Sequence, residues 1–135
     1  MNELTIDATI ENIAEVTAFV NNHLDTLNCS LKTQMQIDVA IDELFGNIAH
    51  YAYDSGTGSA TVRVETEENP PAVIITFTDN GIPYNPLTQS DPDITLSAEE
   101  RKIGGLGIFL VKKTMDDITY EYRNNQNILK IKKII

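Results

Sequence analysis

One cysteine, Cys29, is all the thiol that this 135-residue chain carries. A lone cysteine cannot close an internal disulfide, which fits a reducing compartment, and without a Cys/His cluster around it nothing argues for a zinc site. Cys29 therefore reads as a small, partly buried residue. Long apolar runs are missing as well, and every uninterrupted stretch falls far short of the roughly 20 residues that a membrane helix requires. The N-terminus, MNELTIDATIENIAEV, lacks the basic region and apolar block of a secretory signal, so the expected location is the cytoplasm, with no membrane contact. Positive charge is scarce too. Ten Lys and Arg stand against 20 Asp and Glu, a net charge of −10, and the few basic residues gather near the C-terminus. Such a chain repels a polyphosphate backbone, which argues against direct nucleic-acid binding; it suits a basic protein partner or plain solubility.

What is present is the makeup of a folded domain. The hydrophobic fraction of 41% is that of a globular protein, and the length suits one domain over residues 1–135 that buries a core without metal or disulfide staples. Leu31–Tyr53, LKTQMQIDVAIDELFGNIAHYAY, is the stretch around which the rest is arranged. Ile37, Ala40, Ile41, Leu44, Phe45 and Ile48 recur at three- and four-residue steps, the stripe of a helix that needs a core. Ser30 is its expected cap. Before it, Glu3–Ala8 reads as a short edge strand without a hairpin neighbour, and Thr9 or Asn12 can cap a helix running through Ile13, Val16, Phe19, Val20 and Leu24 to about Asn28.

After the turn formers of DSGTGSA, Ala60–Thr66 and Ala72–Thr78 read as an antiparallel hairpin around Glu67–Pro71. Ile82–Lys102 holds three prolines and little periodicity, so it reads as a long binding loop or lid, with room for a short helix around Ser97–Arg101. Gly104-Gly105-Leu106-Gly107 opens a helix built on Ile108, Leu110, Val111 and Met115, and Ile118–Arg123 and Ile128–Ile134 pair around Asn124–Asn127. Helices grouped among such strands predict an α+β two-layer sandwich, with a mixed, mostly antiparallel sheet covered by helices on one face.

Three short motifs carry chemistry. Glu43 and Asn47 lie off the apolar stripe and four residues apart, so a carboxylate and a carboxamide share one helix face, followed a turn later by His50 and Tyr51. A carboxylate can take a proton from an attacking hydroxyl, and an amide oxygen suits a hard cation such as Mg²⁺. Asp79-Asn80-Gly81 places a carboxylate where the chain turns sharply, able to accept an amino hydrogen from a purine that Gly81 lets come close. The glycines of Gly104–Gly107 leave backbone N–H groups free for phosphate at a helix start. Each has an ordinary alternative: a solvated helix face, a simple turn, a hinge.

In this order the three resemble the N box and the two glycine boxes of the GHKL ATPases. The finer likeness is to the bacterial anti-sigma-factor serine/threonine-protein kinases, through IDELFGNIAHYAY, DNGIPYNP and GGLGIFLVKKTMD, with Pro83 where many other members keep a second glycine. The resemblance implies a Bergerat-type ATP-binding fold, with ATP and Mg²⁺ as cofactors. It implies Glu43 as general base, Asn47 as Mg²⁺ ligand, Asp79 with Gly81 at the adenine, and Gly104, Gly105, Leu106 and Gly107 at the phosphates. It also implies an anti-sigma-factor antagonist protein as substrate and a sigma factor as sequestered partner. Oligomeric state stays open, though such proteins commonly form homodimers. Tyr51 stands where relatives often have His, with His50 beside it, so neither is given a role. The rival reading is a nucleotide-gated binding switch that transfers no phosphate; an intact Glu43 favours the kinase.

Overall fold

A computed structural model describes residues 2–53, 58–88 and 105–135. The elements run β1 (Glu3–Asp7), α1 (Ile13–Leu24), α2 (Leu31–Tyr51), β2 (Ser59–Glu67), β3 (Ala72–Asp79), α3 (Gly105–Thr114), β4 (Asp117–Arg123) and β5 (Gln126–Ile134). The strands form one sheet in the order β1-β2-β3-β5-β4, and all four pairings are antiparallel. β1 is the edge strand that its lack of a hairpin neighbour predicted. The two-layer sandwich is the expected one, with α2 packed between α1 and α3 as a single helix layer, but among the described residues the sheet is wholly antiparallel rather than mixed.

Alternation in the strands explains why only one face is covered. Val62 and Val64 of β2, Ile75 and Phe77 of β3, and Leu129 and Ile131 of β5 are buried and in register across the sheet. They meet Val16, Val20 and Leu24 of α1, the stripe from Ile37 to Phe45 of α2, and Ile108 and Val111 of α3 in one continuous core. The residues between them, such as Arg63, Thr76, Thr78 and Lys130, point to the uncovered face.

Local chemistry sets the boundaries. Ser30 caps α2 by accepting from Thr33 N at 3.1 Å. Neither Thr9 nor Asn12 caps a helix through its side chain; Asn12 Nδ2 donates instead to Asp7 O. α1 gives way to a 3-10 turn over Asp25–Leu27, which stops at Asn28 in the left-handed region with φ 55. α2 ends at Tyr51 rather than Tyr53, because Tyr53 leaves the helix and its hydroxyl donates to Ser59 O and accepts from Asn80 N. The last hairpin turns on Asn124 and Asn125 alone, with φ 56 and 63, the two left-handed residues that a tight hairpin needs. β5 therefore starts two residues earlier than expected, and Gln126 and Asn127 are strand rather than turn. Of the expected lid, the described part continues past β3 to a 3-10 turn at Pro86–Thr88. The short helix expected at Ser97–Arg101 lies outside the described residues.

Candidate active site

α2 supplies one wall of a cleft between the helix layer and the sheet. Asn47 Nδ2 makes a long, 3.5 Å hydrogen bond to Glu43 Oε1, joining the pair that the four-residue spacing placed on one face. That bond uses the amide's donor end and leaves its carbonyl oxygen as an acceptor or ligand. Burial raises the Glu43 carboxyl above the ordinary carboxylate value; the Asn47 bond opposes this and the charge of Asp42 adds to it. α3 begins against the same group. A Cβ built on Gly107 would lie 2.1 Å from Glu43 Oε2 and 2.4 Å from its Cδ, so the carboxylate rests on bare backbone. The first N–H groups of a helix have no partner within it and form its positive end, so this is a place for negative charge.

The other end of the cleft is built on the last residue of β3. Asp79 is on the core face of the sheet and only 4% exposed. Its Oδ1 accepts from Gly81 N at 2.9 Å and from Asn127 Nδ2 at 2.9 Å. Burial raises its carboxyl, and the bonds from Asn127 and Gly81 pull the other way. Gly81 is fixed by a close approach: a Cβ there would sit 2.2 Å from the backbone oxygen of Ala52, which also accepts from Ile82 N at 2.9 Å. The turn after β3 is thus pressed onto the C-terminal end of α2.

Between the two ends lies an apolar slot walled by Leu44 and Ile48 of α2 and by Phe77 and Leu129 of the sheet. Its cavity volume is about 30 Å³, and both Asn47 and Asp79 line it. One cavity therefore touches the first two motifs, through Asn47 and Asp79. Glu43, Asn47 and Gly107 meet at one end, Asp79 and Gly81 at the other, and Gly105 and Leu106 open α3; Gly104 lies outside the described residues.

Three lining residues with polar side chains were not anticipated: Tyr84, Tyr120 and Asn127. Tyr84 stacks on Tyr51 with ring centroids 5.0 Å apart, which gives Tyr51 a place behind the cleft wall. Asn127 was hidden inside a run that read as turn. The available signal was its phase, since it alternates with Leu129 and Ile131 on the core face, where a polar residue calls for a reason.

A family model described as the histidine kinase-like ATPase domain matches residues 6–133. The chain belongs to that family. It is 25% identical over 136 residues to the serine-protein kinase RsbW of Bacillus mycoides, covering 98% of this chain and 84% of that one. The serine/threonine-protein kinase BtrW of Bordetella bronchiseptica is 25% identical over 100 residues, covering 74% and 70%. Among solved structures, the Acinetobacter baumannii histidine kinase AdeS superposes with a TM-score of 0.47 at 16% identity, over 99% of this chain and 68% of that one. Among the described residues no helix is long and apolar enough to cross a membrane.

Proposed function

We propose that the protein is an ATP-dependent serine/threonine-protein kinase that acts on a small antagonist protein and sequesters a regulatory partner, in the manner of the anti-sigma factors. The observation that carries this reading is the packing of the Glu43 carboxylate against the backbone of Gly107. A base raised by burial sits where the positive end of α3 would hold the terminal phosphates, so hydroxyl, base and phosphoryl group can converge at one point. In this reading Asp79 and Gly81 take the adenine edge, the apolar slot takes the ring, and Gly104, Gly105, Leu106 and Gly107 take the phosphates through backbone N–H groups.

The donor set suits Mg²⁺. No group of three or more His, Cys, Asp or Glu side chains that could hold a metal occurs among the described residues. A cation held by the Asn47 carbonyl and otherwise by phosphate oxygens needs no such cluster. Mg²⁺ would supply neutralisation of charge on the phosphates. The chain's own steps are then few: Asn47 orients Glu43 through its amide, Glu43 accepts the proton of the substrate serine or threonine hydroxyl, and the start of α3 faces the developing charge. The family of RsbW and BtrW, both named as protein kinases, supports this choice of acceptor.

The deciding experiment is Glu43→Gln, which keeps shape and hydrogen-bonding reach but removes the basic charge. Phosphoryl transfer from labelled ATP to an antagonist protein is expected to fall by about 10²–10⁴, with nucleotide affinity and partner binding largely kept. Label on serine or threonine in the parent reaction that vanishes with the variant supports the kinase. No label from the parent, alongside tight ATP-dependent partner binding, would replace the kinase by a nucleotide-gated switch.

A further inference from the structure

The buried amide of Asn127 is the most completely engaged polar group in the described structure that the proposed chemistry does not yet use. It is 6% exposed and stands directly across from Asp79 in the β3–β5 register. Both of its donor directions are taken: Nδ2 donates to Asp79 Oδ1 at 2.9 Å and to the carbonyl oxygen of Ile82 at 2.8 Å. Its Oδ1 accepts from Tyr84 N at 3.0 Å and from the Tyr120 hydroxyl. These partners admit one orientation only. Turning the amide over would set its oxygen against two acceptors and its nitrogen against a backbone N–H.

The consequence falls on Asp79. Oδ1 is held by two donors, Asn127 Nδ2 and Gly81 N, one from β5 and one from the turn. A carboxylate pinned by one oxygen on two sides cannot rotate, so the plane and direction of Oδ2 are set before any ligand arrives. We propose that Asn127 is a specificity-determining positioning residue, which holds Asp79 so that Oδ2 alone presents an acceptor to the base and selects purines with a 6-amino group. This rests on the reading of the cleft as the ATP site. A purine with a 6-oxo group would bring an oxygen against Oδ2, and one with hydrogen at position 6 would leave that acceptor without a donor; both mismatches cost affinity. The same amide holds Ile82 and Tyr84, so the wall of the base pocket and the acceptor are set by one side chain.

The test compares ATP with purine riboside 5′-triphosphate, which lacks only the 6-amino group, by calorimetric titration of the full chain. The parent is expected to prefer ATP by roughly ten-fold or more. Asn127→Leu, which keeps size but offers no donor, and Asn127→Asp, which keeps shape and the acceptors for Tyr84 N and the Tyr120 hydroxyl, are both expected to bring that ratio to within about two-fold of unity. A merely structural role would weaken both nucleotides alike and leave the ratio standing. A retained ratio in a folded variant overturns the proposal alone; equal binding by the parent overturns the assignment of Asp79 on which it rests. Should neither variant fold, side-chain NMR of the parent decides. The Asn127 amide protons are expected to resist solvent exchange and to shift with ATP but not with the purine analogue, and fast exchange or identical shifts would overturn the proposal.

Discussion

Asp79 shows what one buried carboxylate costs a fold and returns to a site. Because burial holds its pKa above that of the unfolded chain, the native state binds the proton more tightly, and stability falls as pH rises through the window between the two values. Asp79→Asn removes that slope. The asparagine oxygen can still accept from Gly81 N and Asn127 Nδ2, so the variant is expected to melt no lower than the parent at neutral pH. It should nevertheless bind ATP more weakly by roughly 1–3 kcal/mol, since a donor now stands where Oδ2 accepted. The binding profile should carry the same signature. As pH falls through the raised pKa the carboxyl gains a proton and ATP affinity drops, at a pH above that expected of an ordinary aspartate. Titrations of parent and variant across the acid range check it: a pH-independent parent would place Asp79 outside the base pocket.

At the scale of elements, two glycines hold the same kind of close contact with opposite mechanical consequences. A methyl at Gly81 would meet the backbone oxygen of Ala52, where α2 ends and the turn after β3 is hydrogen-bonded to it, so nothing soft can yield. Gly81→Ala is expected to destabilise by about 1–3 kcal/mol and to weaken ATP as well, read by thermal melting and titration. A methyl at Gly107 would meet only the far end of the Glu43 side chain. That carboxylate can swing away, and alanine favours a helix over glycine, so Gly107→Ala should fold at least as well as the parent while losing phosphoryl transfer. A variant that melts lower yet keeps its activity would contradict the placement of Glu43. The contrast also marks how far the sequence could be read. Periodicity was enough for the helices and for the Glu43–Asn47 face, because spacing along one element is fixed by its own geometry. Asn127 was not legible in this way, because its meaning lies in Asp79 on β3, the adjacent strand in the sheet but 48 residues away in the chain, and its neighbours Asn124 and Asn125 are ordinary turn formers. Thr9 and Asn12 failed as caps for a related reason: a capping residue type does not settle which backbone group the side chain finds.

The molecule as a whole is anionic and must bind an anion. With a net charge of −10, and no Lys or Arg among the described residues lining the cleft, the charge of the protein opposes a polyphosphate there, and the start of α3 is the favourable end. Removing divalent cation with a chelator is therefore expected to weaken ATP at least ten-fold and to leave adenosine, which carries no charge, nearly unchanged. Equal losses for both ligands would mean that the metal acts on the fold rather than on the phosphates. One continuous helix also fixes a length. α2 carries Glu43 toward one end of the cleft and Ala52, the seat of the base-side turn, at the other, about 13.5 Å apart along its axis at 1.5 Å per residue. No hinge lies between them, so the protein measures its ligand against a rigid ruler. A chain longer by one phosphate should bind at least as well yet set the wrong phosphorus beside the base, and adenosine 5′-tetraphosphate is expected to transfer its terminal group far more slowly than ATP. Equal rates would show that the ends of the cleft move independently.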